Sequence, residues 1–408
     1  MATRDLVLSE ELLSDDLLRV AVGYLSQVVK DESTEVLARY SRMAKDANIL
    51  AASVAIDAIG RHPAAESVAV LLELYDEVAT DDLRGAVLRA LGETGSAEAL
   101  PMLTEIASDE YQIGSLRQYA ADSLGKIGMD ESFAVLVSLT AAEDALLRAY
   151  AVHAVGYYDS PEAAEILIGA LRDSFWRVRV SALQGLAERK WTDAAPAVAY
   201  KARRDPERPV RQAAITTMIA LADDVSVQTL TDIARSVRTG ESERIQAILG
   251  LYEVDLAGSI DFFQELVSEE WERENSRILD AVGKRASESD DPVIEPIVGR
   301  LLSHPNFIIR IYGIRGAGRA GLVSYVPILK EFAEDSSPGI VRDSTVAALE
   351  RLGVEYDPAA ETDSDGELPS EPAPEDSLSD VPSEAGVSTQ SPLPAPGTEP
   401  GAESEDTW

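Results

Sequence analysis

The sequence predicts an all-α protein: an α-solenoid of about eleven helix–turn–helix repeats, followed by a disordered acidic C-terminal tail. Three observations predict it. Nine arginines (Arg84, Arg117, Arg148, Arg179, Arg211, Arg244, Arg277, Arg310 and Arg342) recur at gaps of 33, 31, 31, 32, 33, 33, 33 and 32 residues. A fixed spacing of small, apolar and glycine residues follows each of them. The composition breaks sharply at residue 357, which divides the chain into a solenoid over 1–356 and a tail over 357–408.

The helix that each arginine heads is legible from its spacing. Three residues on stands a small residue: Ala120, Ala151, Ala182, Ala214, Ala247 or Gly313. Seven on stands an apolar residue, as at Leu91, Leu124, Val155, Leu186, Met218 and Leu251. Apolar residues three and four apart fall on one helix face. Eight on stands Gly92, Gly125, Gly156 or Gly318, which we expect to adopt the left-handed conformation that ends a helix. The small residue leaves room for a neighbouring helix.

A second apolar stretch follows, such as residues 97–107, 162–173 and 323–335. Pro101, Pro196 and Pro327 each lie 17 residues after their arginine, where a first helical turn tolerates a proline that has no N–H to lose. The unit is therefore helix, turn, helix, loop. Counting backward, Ala52 and Arg19 head two earlier units, so the array has eleven, degenerate at both ends.

The recurring V/L-R-x-x-A-x-x-A-L-G string, the A-x-P opening of the other helix, and an acidic residue six before its arginine (Asp173, Asp205) resemble the HEAT-repeat superfamily over residues 10–355. The likeness is to the short-repeat form first associated with phycobilin lyase subunits. The resemblance implies that the nine arginines pair with acidic groups of their own or adjacent units in a buried ladder. It also implies that the arginine-headed helices line the concave face.

Composition narrows the function classes. The chain carries 36 basic and 72 acidic residues, a formal charge of −36, with seven lysines and 29 arginines. Acidity with scarce lysine suggests either a halophile-like adaptation to high salt or simply a very soluble scaffold, and it argues against nucleic-acid binding, which needs clustered cations. With no cysteine, disulfides and thiolate chemistry are excluded. The N-terminus has no basic-plus-apolar leader and no apolar run reaches 18 residues, so a cytoplasmic location without a membrane span is expected. His62, His153 and His304 sit in well-separated units; no metal, cofactor or catalytic residue is expected. The G-A-G-R-A-G run of 316–321 matches a dinucleotide fingerprint, which requires a preceding strand. Here Arg310 and Gly318 keep the repeat register, and the repeat explains the glycines.

The tail holds nine of the 20 prolines and 14 acidic residues, with neither lysine nor arginine. It buries too little apolar surface to offset its ordering entropy. Its last residue, Trp408, is its only aromatic and a candidate docking motif.

Partner binding is expected where charge and aromatics depart from this background. Residues 172–211 hold ten basic against five acidic side chains, interleaved with Trp176, Trp191 and Tyr200. Arginine and aromatics are favoured at interface hot spots. The candidate set is Trp176, Arg177, Trp191, Arg203, Arg204 and Arg208, with Arg315 and Arg319 in a second acid-free stretch over 296–330. The expected function is a non-enzymatic protein–protein scaffold that binds an acidic or phosphorylated segment, with the acidic tail able to compete for the same patch. The alternative implied by the resemblance is a bilin lyase or isomerase subunit.

Overall fold

The structure is a computed structural model that describes residues 20, 23–24, 31–43, 49–61, 65–273, 275–335 and 339–355. The expected unit at Arg19, His62, and the tail of 357–408 with Trp408 lie outside the described residues. Among those residues there are twenty α-helices and no strand. The odd-numbered helices are α1 (Asp31–Met43), α3 (Ala65–Glu77), α5 (Leu100–Ser108), α7 (Asp130–Leu139), α9 (Pro161–Ala170), α11 (Ala195–Arg204), α13 (Asp224–Arg235), α15 (Ile260–Glu269), α17 (Glu295–Leu302) and α19 (Val326–Asp335). The even-numbered helices are α2 (Ile49–Gly60), α4 (Asp81–Thr94), α6 (Gly114–Ile127), α8 (Ala145–Val155), α10 (Trp176–Glu188), α12 (Arg208–Leu221), α14 (Glu241–Val254), α16 (Arg277–Glu288), α18 (Phe307–Arg319) and α20 (Ile340–Arg351).

The chain alternates between two rows, and each repeat arginine sits in the first turn of an even helix. Every even helix from α2 to α18 packs directly on the next one, whereas contacts along the odd row are sparser. The core lies between the rows and is built from fully buried residues such as Leu88, Leu91, Leu103, Leu116, Leu124, Leu136, Leu147 and Leu167. Burying side chains of this size contributes about 1.5–3 kcal/mol each, which no unit could gather alone. Pro101, Pro196 and Pro327 fall in the first turns of α5, α11 and α19. A 3₁₀ turn leads into each of these helices.

None of the glycines eight residues after the arginine adopts the left-handed conformation, and of the four only Gly156 caps its helix. Gly92, Gly125 and Gly318 stand inside the even helices, where the next helix crosses; Gly156 directly follows α8, in a right-handed conformation. A Cβ on Gly125 would lie 2.6 Å from the Ala154 Cβ, one on Gly92 2.8 Å from Ser123, and one on Gly318 2.7 Å from Ala348. A Cβ on Gly156 would lie 2.9 Å from the Gly185 backbone. The residue met is always six after the next arginine. At α12 and α14 the roles reverse: Ile219 is the large residue and Gly250 the small one, and a Cβ on Gly250 would lie 2.5 Å from the Ile219 side chain.

The left-handed position lies three residues later, eleven after the arginine. Gly95, Gly128, Gly321 and Gly353 occupy it with φ of 64°, 71°, 67° and 75°. Lys190 (φ 52°) and Ala222 (φ 53°) occupy it in the α10 and α12 units. In these two units the left-handed geometry is kept without the glycine, whereas Asp255 at the same register has φ of −150°. The Gly316–Gly321 run belongs to α18 and its left-handed end, so the strand that a dinucleotide site needs is a helix here.

Candidate functional site

Each unit has two edges: an entry edge, where an odd helix ends and an even helix begins, and an exit edge, where the even helix ends. The repeat arginines converge on the entry edge. Arg148 donates from Nη1 to the carbonyls of Ala142 (2.8 Å) and Glu143 (3.0 Å), and from Nε and Nη2 to both carboxylate oxygens of Asp173 (2.9 and 3.1 Å). Arg179 repeats this with the carbonyls of Asp173 and Ser174 and the carboxylate of Asp205 (2.9 and 2.7 Å). Arg211 does so with the carbonyls of Asp205 and Pro206 and one oxygen of Glu243. Asp173 and Asp205 also accept the N–H groups of Phe175 and Glu207. The planar guanidinium fork suits this arrangement, because it can bind a turn and a carboxylate at once.

Burial pushes Asp173 and Asp205 up, but the hydrogen bonds from Arg148 and Arg179 outweigh it and hold both below the ordinary carboxylate range. Lys201 adds to the effect on Asp205 at 3.1 Å. The other anchors behave differently. Arg84 pairs with Asp81 and Arg277 with Glu241, both partly open to solvent. Arg117 and Arg244 donate to the carbonyls of Ala107 and Ala234. Arg310 lies over the Phe332 ring at 5.9 Å, and Arg342 heads α20. Arg148, Arg179 and Arg211 thus form a carboxylate ladder across consecutive units.

The partner-binding candidates do not form one patch. Trp176 and Arg177 open α10, Arg203 and Arg204 close α11, and Arg208 opens α12, so these five share the entry edge. Trp191 follows the other end of α10 on the exit edge, about 20 Å away for a helix of that length. Its indole N–H is buried with no acceptor among the described residues. Arg203 is tied across the odd row to Thr229 (3.1 Å) and Asp232 (2.8 Å). Arg177, Arg204 and Arg208 are exposed and form no ion pair among the described residues. The Arg177 guanidinium lies over the Trp176 ring at 5.3 Å, and Phe175 flanks that ring. Arg315 and Arg319 are exposed on α18, four units away.

A second cluster has no counterpart in the composition of any sequence window. On the open face of α4, α6 and α8, Arg89 lies over Tyr119 at 4.9 Å. Lys126 donates to Glu93 at 2.7 Å and lies 3.4 Å from Asp122. His153 Nε2 bonds the Tyr157 hydroxyl at 3.2 Å, with Asp122 4.0 Å away. Burial, then the Asp122 carboxylate, push the Tyr157 phenol up to about 12. Burial also raises Tyr150, with Tyr119 and Asp122 adding and Arg177 opposing. These residues stand two, five and nine after their arginines. Read down the repeats at a fixed register they would have shown; read along the chain they disperse among core residues. His304 is fully engaged elsewhere: its Nδ1 accepts from Asn306 N–H, which leaves Nε2 to donate to the Trp271 carbonyl.

Among the described residues, no helix is long and apolar enough to cross a membrane. The fold is similar to that of Kap95p as solved in its binding to RanGDP (14% identity, TM-score 0.55, covering 88% of this chain and 57% of that one). It is also similar to yeast importin-beta, Kap95p (14% identity, TM-score 0.51, 88% and 56% covered). This chain therefore spans somewhat over half the length of those proteins, and at such identity the likeness concerns the fold. The CpcE–CpcF phycocyanin lyase complex of Nostoc sp. is more distant (15% identity, TM-score 0.37, 56% and 91% covered) and carries no argument about activity. No curated protein matches the sequence. The family model of the spirochaete HEAT repeat proteins matches residues 7–348. With that match over most of its length, and two stacked rows of helices keyed by a repeated arginine, the chain belongs to the spirochaete HEAT repeat protein family.

Proposed function

We propose that this chain is a non-enzymatic scaffold that binds an acidic or phosphorylated segment of another protein at the entry edge of α10 and α12. The observation that carries the reading is the group of exposed guanidiniums of Arg177, Arg204 and Arg208, without carboxylate partners among the described residues and beside the partly exposed Trp176 ring. Asp173 and Asp205, the carboxylates nearest in the chain to Arg177 and Arg204, are committed to the ladder, which leaves Glu207 beside Arg208. Guanidinium forks bind carboxylate or phosphate oxygens with charge-assisted bonds, and a stacked arginine–tryptophan pair suits an interface anchor. Kap95p, whose fold this chain shares, binds RanGDP, which supports protein binding as the use of such a surface.

The test is capture of a partner by the full chain and by Arg177→Glu/Arg204→Glu/Arg208→Glu, with Arg315→Glu/Arg319→Glu as a control for charge reversal elsewhere. The reading expects capture to fall at least about tenfold in the triple variant and to persist in the control. Equal capture by all three proteins would reject the edge. A chain ending at Tyr356, run alongside, reports on the acidic 357–408 segment: stronger capture without it identifies the tail as a competitor, and lost capture makes the tail itself, with Trp408, the docking element.

A further inference from the structure

Resting on that reading, we infer that the segment bound at the entry edge is extended and carries a carboxylate side chain at every third position. Three consecutive turns on this edge present unpaired arginines: Arg172 and Arg177 before and in α10, Arg204 and Arg208 around the α11–α12 turn, and Arg238 before α14. All five are exposed and form no ion pair among the described residues. The acidic residues of these turns are mostly consumed. Asp173, Asp205 and Glu243 belong to the ladder, Asp232 holds Arg203, and Glu241 holds Arg277. Only Glu207 is left, against five arginines.

The spacing of these turns sets the register. The helices α10, α12 and α14 pack directly on one another, so their starts repeat at the interaxial distance of packed helices, about 8–10 Å. An extended chain of polyproline II type rises about 3.1 Å per residue with three residues per turn, so every third side chain falls on the same face about 9 Å further on, one unit of the array. A side chain at every third position therefore meets one arginine turn after another, whereas contiguous acidic residues crowd one turn and leave the next two empty. Apolar ground lies between the charges for the intervening residues: the Trp176 ring at one end, and Val237, 86% exposed, at the other. The helix ends add to the same field. Phe175, Glu207 and Gly240 precede α10, α12 and α14 without a side-chain cap, as Ile113 and Gly339 precede α6 and α20, whereas Thr80, Asp144, Ser276 and Asn306 cap α4, α8, α16 and α18.

Two fluorescent twelve-residue peptides of identical composition test this, measured by anisotropy against the full chain at low salt. One carries aspartate at positions 1, 4, 7 and 10 among serine and glycine; the other carries its four aspartates in a row. The spaced peptide should bind about tenfold more tightly. Arg204→Glu/Arg238→Glu should remove that preference, while Arg315→Glu/Arg319→Glu should keep it. Equal affinity of the two peptides would overturn the every-third-residue register and leave the edge itself standing. Binding of neither would overturn the edge as an acidic-segment site, and this inference with it.

Discussion

Arg179 shows how a residue can be specified by sequence and yet owe its energetics to neighbours far along the chain. Its guanidinium closes the turn before α10 through two carbonyls and reaches Asp205 in the next unit, whose side chain is fully buried. Arg179→Ala would leave that carboxylate with Lys201 as its one cationic partner, beside the Glu207 N–H. We expect a loss of about 3 kcal/mol in urea unfolding at neutral pH, as for other buried pairs broken from one side. The pH dependence fixes the cause. Because Asp205 is held below its ordinary value, its contribution is present above about pH 4 and is lost as pH falls through the lower folded value. The gap between variant and parent should therefore narrow as the solution is acidified below about pH 4; a gap constant across that range would assign the loss to packing. The register of this ladder is visible in the sequence, since Asp173 and Asp205 each stand six residues before an arginine. The acceptor of Arg211 is not, because it is Glu243, 32 residues on and in a different sequence context.

Among elements, the even helices are the repeating joint. The structure reassigns two of their positions. The glycine eight after the arginine permits helix contact, and in six of the nine units the residue eleven after it turns the chain left-handed. Both tasks favour glycine, so a sequence that shows a glycine near a helix end does not distinguish them. At Ala222 the left-handed turn is made by a residue with a Cβ, a conformation that costs an L-residue about 1–2 kcal/mol. Ala222→Gly removes that cost and adds some unfolded-chain freedom, so it should stabilise by about 0.5–1 kcal/mol, read as a higher urea midpoint with unchanged m. A lower midpoint would show that the methyl group makes contacts worth more than the strain.

The solenoid as a whole is a linear sum of units and interfaces between neighbours. A change at one interface should therefore weaken its surroundings before the far end. Gly125→Val places a Cβ 2.6 Å from Ala154 at the α6–α8 joint. The overpacking should cost about 2–3 kcal/mol. Amide exchange should rise first in α6 and α8, with α16 and α18 keeping their protection; a uniform rise would mean that the array unfolds as one unit. At this scale the charge pattern also acquires a direction. Basic residues that neighbour one another in sequence are sorted onto opposite edges, with Arg177 and Arg208 at the starts of α10 and α12, Arg204 at the end of α11, and Lys190 beside Trp191 at the exit.

Local physics was enough to read the helical period, the two-helix unit and the arginine at the head of each even helix directly from the residues. Helix periodicity, proline in a first turn, and a fixed-length repeat that leaves stacking as the way to bury its apolar faces are all written along the chain. Three matters waited for the packed molecule: which arginines face carboxylates, which glycines touch a neighbouring helix, and which members of the expected patch share an edge. Each is a relation between separate units, set by how one helix crosses the next. The polar cluster of Tyr119, Asp122, His153 and Tyr157 is the clearest case, because its members come from two units and meet only when α6 and α8 stack.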